Sequence, residues 1–381
     1  MKELAGLNWM RGIAAMLVML SHARPMFFEN YDRIAGASGI LAKIFYLVTG
    51  LGTLSVMVFF VLSGYLVAGS AHKSISSGRW SWSDYLIKRF ARLWTVMIPA
   101  LFFTAVLDLV GQYYLGSDFY VGAYPEFYSG PSAGGQFDVA TFLGNAVFLQ
   151  EILVPAFGSN GPLWSISYEF WYYILFPIAL LALYRGQKPL TRFILAALFC
   201  VVAVMVGKDI MRLFVVWLLG YFSWYFRESA AADFLYKSKV RSIIVVCFLV
   251  LFMLALRVTR IDWTILTYVF GLAVAISIWA LRSHVFDWGA RTAKFLSDIS
   301  FSLYLTHFPT LALLSAFRGN YRSQSLSEGW PLFVLWLVLS GFVAVVFWYI
   351  FERNTGKVRV VFHKAYQATL GTRQKKGGSS L

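Results

Sequence analysis

Apolar runs of roughly 18 or more residues recur along the whole chain, and that recurrence limits the fold more than any other feature. Ten spans are predicted, near residues 7–24, 50–71, 93–113, 164–184, 191–207, 210–226, 242–257, 263–281, 295–316 and 331–351. Charged residues make up 13% of the chain and hydrophobic ones 59%, where a soluble domain carries about 25% charged. So little charge cannot coat a water-soluble globule. The expected fold class is all-α: a polytopic membrane protein of about ten transmembrane helices around a central polar cavity. Residues 1–352 are expected to form this domain and 353–381 a basic cytoplasmic tail, with a helix on the inner membrane surface followed by disorder.

The formal net charge of +15 raises nucleic acid as a partner, but its distribution argues against that. With the N-terminus inside, the segments expected on the cytoplasmic side, counted with Arg11 at the inner end of the first span, hold 24 of the 33 Lys and Arg. That bias is the positive-inside pattern, with an even number of spans and both termini cytoplasmic. The expected partner is the lipid bilayer, and no nucleic acid. Cys200 and Cys247 lie in apolar runs and read as buried free thiols. The first span, interrupted by Arg11 and His22, does not read as a cleaved signal peptide. The outer loop 114–139 lacks Lys and Arg, and carries Asp118, Glu126 and Asp138. Thr141 to Pro155, interrupted by Gln150 and Glu151, reads as an interfacial or re-entrant piece lining a cavity.

Within the first span, Arg11 and His22 are costly residues to hold in lipid. They are about 16 Å apart along a helix and, at close to three turns, face one side. Imidazole is a natural general base for a hydroxyl, and guanidinium suits a phosphate or a developing oxyanion. A snorkelling Arg and an interfacial His would give the same spacing. Lys88, Arg89 and Arg92 fit a polyphosphate such as the pyrophosphate of coenzyme A, with Arg89 and Arg92 sharing a face; lipid headgroups offer the same anion. Trp164, Ser165 and Glu169 open a span near the outer face. They combine an aromatic platform with a carboxylate, as a glycan pocket does, or an aromatic belt with a capping Glu. Tyr304 and His307 share a face of another span, as polar cavity contributors or as an interhelical hydrogen bond. Gly64 allows close helix packing, and Glu352-Arg353 reads as an interfacial ion pair. No metal-ligand spacing or nucleotide loop is present.

Taken in order, Arg11 through His22, "FFVLSGYL" at 59–66, "KRFARLW" at 88–94, "GPLWSISYEF" at 161–170 and "ISFSLYLTH" at 299–307 resemble the acyltransferase-3 family of integral membrane O-acyltransferases. The resemblance covers nearly all of the membrane portion. It implies transfer of an acyl group, most often acetyl from acetyl-CoA, to a hydroxyl. Acceptors in the family are sugars of cell-surface glycans or small molecules such as macrolides. It implies a bacterial inner membrane location, an acyl-CoA donor substrate and no permanently bound cofactor. By the same resemblance Arg11 and His22 match paired functional positions, Arg89 and Arg92 an inside basic pair, and Glu169 a tryptophan-serine-glutamate motif. The expected roles are then catalysis for His22, Arg11 and Glu169, with Glu169 orienting His22 or holding acceptor hydroxyls; donor binding for Lys88, Arg89 and Arg92; and substrate contact for Trp164, Ser165, Tyr304 and His307. The chain has Tyr-Glu-Phe-Trp where many members have a Glu-Gln-aromatic pattern, which leaves acceptor preference open. Residues after 352 are too few for the hydrolase-like domain fused to some relatives. A transporter or flippase for a lipid-linked sugar would use the same polar cavity without chemistry.

Overall fold

Among the described residues, seven helical runs are long and apolar enough to cross a membrane. This computed structural model describes residues 5–34, 39–121, 137–258 and 263–377. In chain order the helices are α1 (Ala5–Phe27), α2 (Ile40–Val48) and α3 (Gly52–Ser63), the last continuing through a π-helical turn (Gly64–Ala68) into α4 (Gly69–Ser76). There follow α5 (Trp82–Leu109), α6 (Val139–Ala146), α7 (Trp164–Leu183), α8 (Pro189–Tyr225), α9 (Ala230–Tyr236) and α10 (Lys239–Val258). The last are α11 (Trp263–Ala280), α12 (Ala290–Phe317), α13 (Leu326–Ile350) and α14 (Thr355–Gly377). No strand is present among the described residues, only two isolated bridges.

The count differs from ten in three places. Helix α1 carries Arg11, His22 and Arg24, which lower its hydropathy. Helix α11 is short, with its apolar stretch at Ile265–Ala280. Helix α8 joins two predicted spans in one run, broken at Gly207, whose φ of 82° no helix permits. Each of the ten predicted segments nevertheless lies on helix. The outer surface is apolar: Phe102, Val204, Leu251 and Phe342 are each more than half exposed, which suits lipid and not water. Cys200 and Cys247 are free but exposed on that surface. The expectation that they are buried is therefore corrected: their runs face lipid, so being apolar did not require a protein neighbour.

Helix α1 is walled in by α3, α12 and α13, while α12 also meets α5 and α7 packs on α8. This is why the most polar helices sit at the centre. Helices α3 and α8 meet backbone to backbone. A Cβ on Gly64 would strike the carbonyl of Trp217, and one on Gly220 the carbonyl of Val61. That approach is the small-residue packing expected of Gly64.

Residues 138–163 break the helical pattern, and buried polar side chains repair the break. Asp138 caps α6 by accepting from the Thr141 N–H at 2.8 Å and its hydroxyl at 2.6 Å. Those bonds hold its carboxyl below the ordinary carboxylate value. Asn145 donates to the carbonyls of Thr141 and Pro155 and accepts from the Phe157 N–H. The Phe148 carbonyl accepts from Ser167 and Trp171, and Trp94 donates to Ala146. Asp108 receives both the N–H and the hydroxyl of Ser159, at 2.6 and 2.7 Å. Irregular backbone survives among spans only when satisfied in this way. The segment wedges against α5 and α7 and lines neither of the two cavities described below. The acidic loop around Glu126 and the last residues of the tail lie outside the described residues.

Candidate active site

The basic residues of α1, α5 and α14 converge on one cavity of about 450 Å³. Its walls carry Arg11, Lys88, Arg89, Arg92 and Arg359, with Glu169 as the one carboxylate among the lining side chains. Phe59, Phe60, Leu66, Val67 and Phe301 complete it as an apolar sleeve. With Arg92 paired elsewhere, as described next, four cations against the Glu169 carboxylate still favour an anionic ligand.

The cations are held differently. Arg92 Nη1 sits 2.6 Å from Glu352 Oε1, and Glu352 Oε2 accepts from the Ser302 N–H and hydroxyl. Glu352 therefore does not pair with Arg353, as the sequence suggested. Arg353 stacks on Tyr349, 3.7 Å from the ring centre, because the chain turns at 352 and carries the carboxylate inward. Arg89 lies over the rings of Tyr85 and Tyr173, at 5.4 and 5.5 Å, and its Nε is buried without a partner. Arg89 and Arg92 thus reach one cavity, but Arg92 is already paired.

Glu169 ends a polarised chain. Trp217 Nε1 donates to Ser63 Oγ at 3.1 Å, Ser63 lies 3.3 Å from Tyr173 Oη, and Tyr173 donates to Glu169. Such chains strengthen each member in a low dielectric. One turn before Glu169, Ser165 Oγ shares a 2.6 Å hydrogen bond with Tyr304 Oη, which ties α7 to α12 on the cavity wall.

His22 and His307 form a separate pair. His307 is fully buried, and its Nδ1 lies 2.9 Å from the Leu303 carbonyl. A carbonyl only accepts, so His307 Nδ1 carries the proton and Nε2 is a lone pair. His22 Nδ1 lies 2.9 Å from that Nε2. It must therefore donate, which leaves His22 Nε2 as the unprotonated nitrogen of a partly exposed ring. The rings are stacked at 5.1 Å, with Phe308 edge-on to His22.

Seven of the ten sequence-predicted site residues therefore line the cavity: Arg11, Lys88, Arg89, Arg92, Ser165, Glu169 and Tyr304. His22 and His307 are not among the lining residues and bind each other, with the His307 ring 5.9 Å from that of Tyr304. Glu169, expected to orient His22 or hold acceptor hydroxyls, is hydrogen-bonded to Tyr173, while His22 is bonded to His307. Glu169 also faces the basic cavity, not an outward pocket, because Ser165 and Glu169, four apart, share the side of α7 on which Ser165 bonds Tyr304 of α12. Trp164 lies on the other side of α7, in a second cavity. Four contributors escaped the sequence reading. Tyr173, four residues after Glu169, was legible from helical spacing. Ser63, Glu352 and Arg359 were not, for their partners are remote in sequence. Arg359, with Thr355 and Gly356, belongs to the tail expected to lie apart.

Comparison with known proteins shows what the chain is similar to. A family model described as an acyltransferase domain matches residues 4–353. An O-acetyl transferase of Shigella phage Sf6 is 25% identical over 335 residues, covering 85% of this chain and 90% of the phage protein. Acyltransferase MdmB of Streptomyces mycarofaciens is 28% identical over 179 residues, 46% of this chain and 38% of that protein. No solved structure matches at a significant level.

Proposed function

This chain belongs to the acyltransferase-3 family, and from that premise we propose that it moves an acetyl group from acetyl-CoA to a hydroxyl of a cell-surface glycan. The supporting observation is the cation-lined cavity. Five basic side chains around a narrow apolar sleeve suit a ligand with several phosphates at one end and a long neutral arm. The basic end would face the cytoplasm of a bacterium, where acyl-CoA is made, with both termini on that side.

In this reading Arg89, Lys88 and Arg359 hold the phosphates, and Arg11 steadies charge nearer the thioester. Arg92 is kept in place by Glu352. The acceptor oxygen attacks the thioester carbonyl carbon while its proton passes to His22 Nε2. The carbon–sulfur bond then breaks, and the CoA thiolate takes that proton back. His307 keeps His22 in the tautomer that can accept it. The same lone pair would also serve an acyl-imidazole route, with the acyl group resting on Nε2 between two half-reactions. Purified protein given radiolabelled acetyl-CoA and a glycan extract should place label on the glycan. Absence of label on any acceptor refutes the proposal. A His22→Ala protein with full activity refutes the role of that residue.

A further inference from the structure

A second cavity, of about 300 Å³, lies between the first turns of α3, α7 and α11 and the second arm of α8. Trp164, Tyr168, Asp209, Arg212, Thr53 and Thr267 line it. None of the cations of the first cavity reaches it.

Its chemistry is distinctive. Trp164 and Tyr168 are one helical turn apart, with ring centres 5.0 Å apart and planes at 80°. They form two walls of an aromatic corner. Asp209 and Arg212 stand opposite, paired only loosely at 3.9 Å, with side chains 58% and 47% exposed. A pair so exposed gains little from itself, so both groups are available to a ligand. The break at Gly207 brings them here, by starting a new helical arm two residues earlier. Aromatic faces take the C–H face of a sugar ring, while a carboxylate accepts from hydroxyls and a guanidinium donates to them. An acyl chain would not use the ions, and a polyphosphate would be repelled by Asp209. The volume is at the small end of ligand sites, which run from about 300 to 1,000 Å³, and so suits one ring of a saccharide.

This cavity also abuts the first. Phe60, 2% exposed, lines the basic cavity and touches both aromatic walls of the second, at 6.1 Å from Trp164 and 6.5 Å from Tyr168. Phe60 thus links the lining of the first cavity to the aromatic walls of the second. On the flank, Ser21, the neighbour of His22, packs against Gly52, beside Thr53 of the second cavity.

We propose that this second cavity is the acceptor subsite, binding one sugar ring between the Trp164–Tyr168 corner and the Asp209–Arg212 pair. The proposal rests on the acetyl-transfer reading above and adds where, and by which groups, the acceptor is held. The test uses the full-length protein in its own membranes, with radiolabelled acetyl-CoA and the glycan of the same cells. Asp209→Asn, Arg212→Gln and Trp164→Leu are each assayed for label on glycan and for acetyl-CoA binding. The expected result is a rise of at least about tenfold in KM for glycan in each variant, with donor binding kept. Kept donor binding also reports that the variant has folded. Should Trp164→Leu lose donor binding, Asp209→Asn and Arg212→Gln decide alone. Wild-type KM for glycan in every variant that binds donor overturns the acceptor subsite alone. Wild-type protein that labels no saccharide overturns the acetyl-transfer reading, and this inference with it.

Discussion

Replacing His307 tests whether tautomer control, and not mere polarity, makes His22 a base. The bond from His307 Nδ1 to the Leu303 carbonyl fixes an acceptor at Nε2, and the 2.9 Å contact makes His22 donate from Nδ1. His307→Leu removes that acceptor. The His22 ring then leaves a buried N–H unpaired or flips, presenting N–H where the substrate hydroxyl needs a lone pair. Losing one buried hydrogen-bond partner costs about 1–3 kcal/mol, so kcat should fall about 5- to 150-fold. His307→Gln keeps a carbonyl oxygen able to accept, and should recover most of the loss. His22→Ala removes the base itself and should lower kcat by about 10²–10⁴-fold. Neither histidine lines the basic cavity, so KM for acetyl-CoA should stay near the wild-type value in all three. Steady-state kinetics on purified protein, with donor and acceptor varied in turn, measures each quantity. Wild-type kcat in His307→Leu, or equal losses in Gln and Leu, would refute the reasoning.

Three further outcomes follow from the same structure. Arg359→Ser should raise KM for acetyl-CoA several-fold and weaken its dependence on salt, since one of five lining cations is lost; unchanged donor kinetics would remove α14 from the site. Glu352→Gln and Arg92→Met should each destabilise the protein by more than the double variant does, because each alone strands a charge whose partner is 4% or 36% exposed; additive losses in a thermal unfolding assay would contradict the coupling. Gly64→Val should cost about 1–3 kcal/mol of stability by forcing α3 from α8, and a melting temperature equal to wild type would show that the helices yield freely.

Sequence spacing anticipated which residues share a cavity wall where one helix carried the information. Arg89 and Arg92 share a helix face, as do Ser165 and Glu169, so spacing alone brings each pair to a common side. It failed where a partner came from elsewhere. The reading grouped Glu169 with His22, but α7 turns that carboxylate toward Tyr173 and the cations. Trp164 and Ser165 are adjacent in sequence yet serve different cavities, since neighbours on a helix point about 100° apart.

What the amino-acid order determined alone was the solvent of the fold and its elements. Long apolar runs and scarce charge demand helices in lipid, since each helix satisfies its own backbone. Close glycines allow backbones to touch, and spaced cations mark a basic end. Only the tertiary structure decided who meets whom. It drew Glu352 to Arg92 across 260 positions and His22 to His307 across 285. Such pairings depend on how α1, α5, α7, α12 and the chain end cross in space. No local spacing encodes that geometry, because the cost of stranding a polar group in lipid can be relieved by any helix that arrives with a partner.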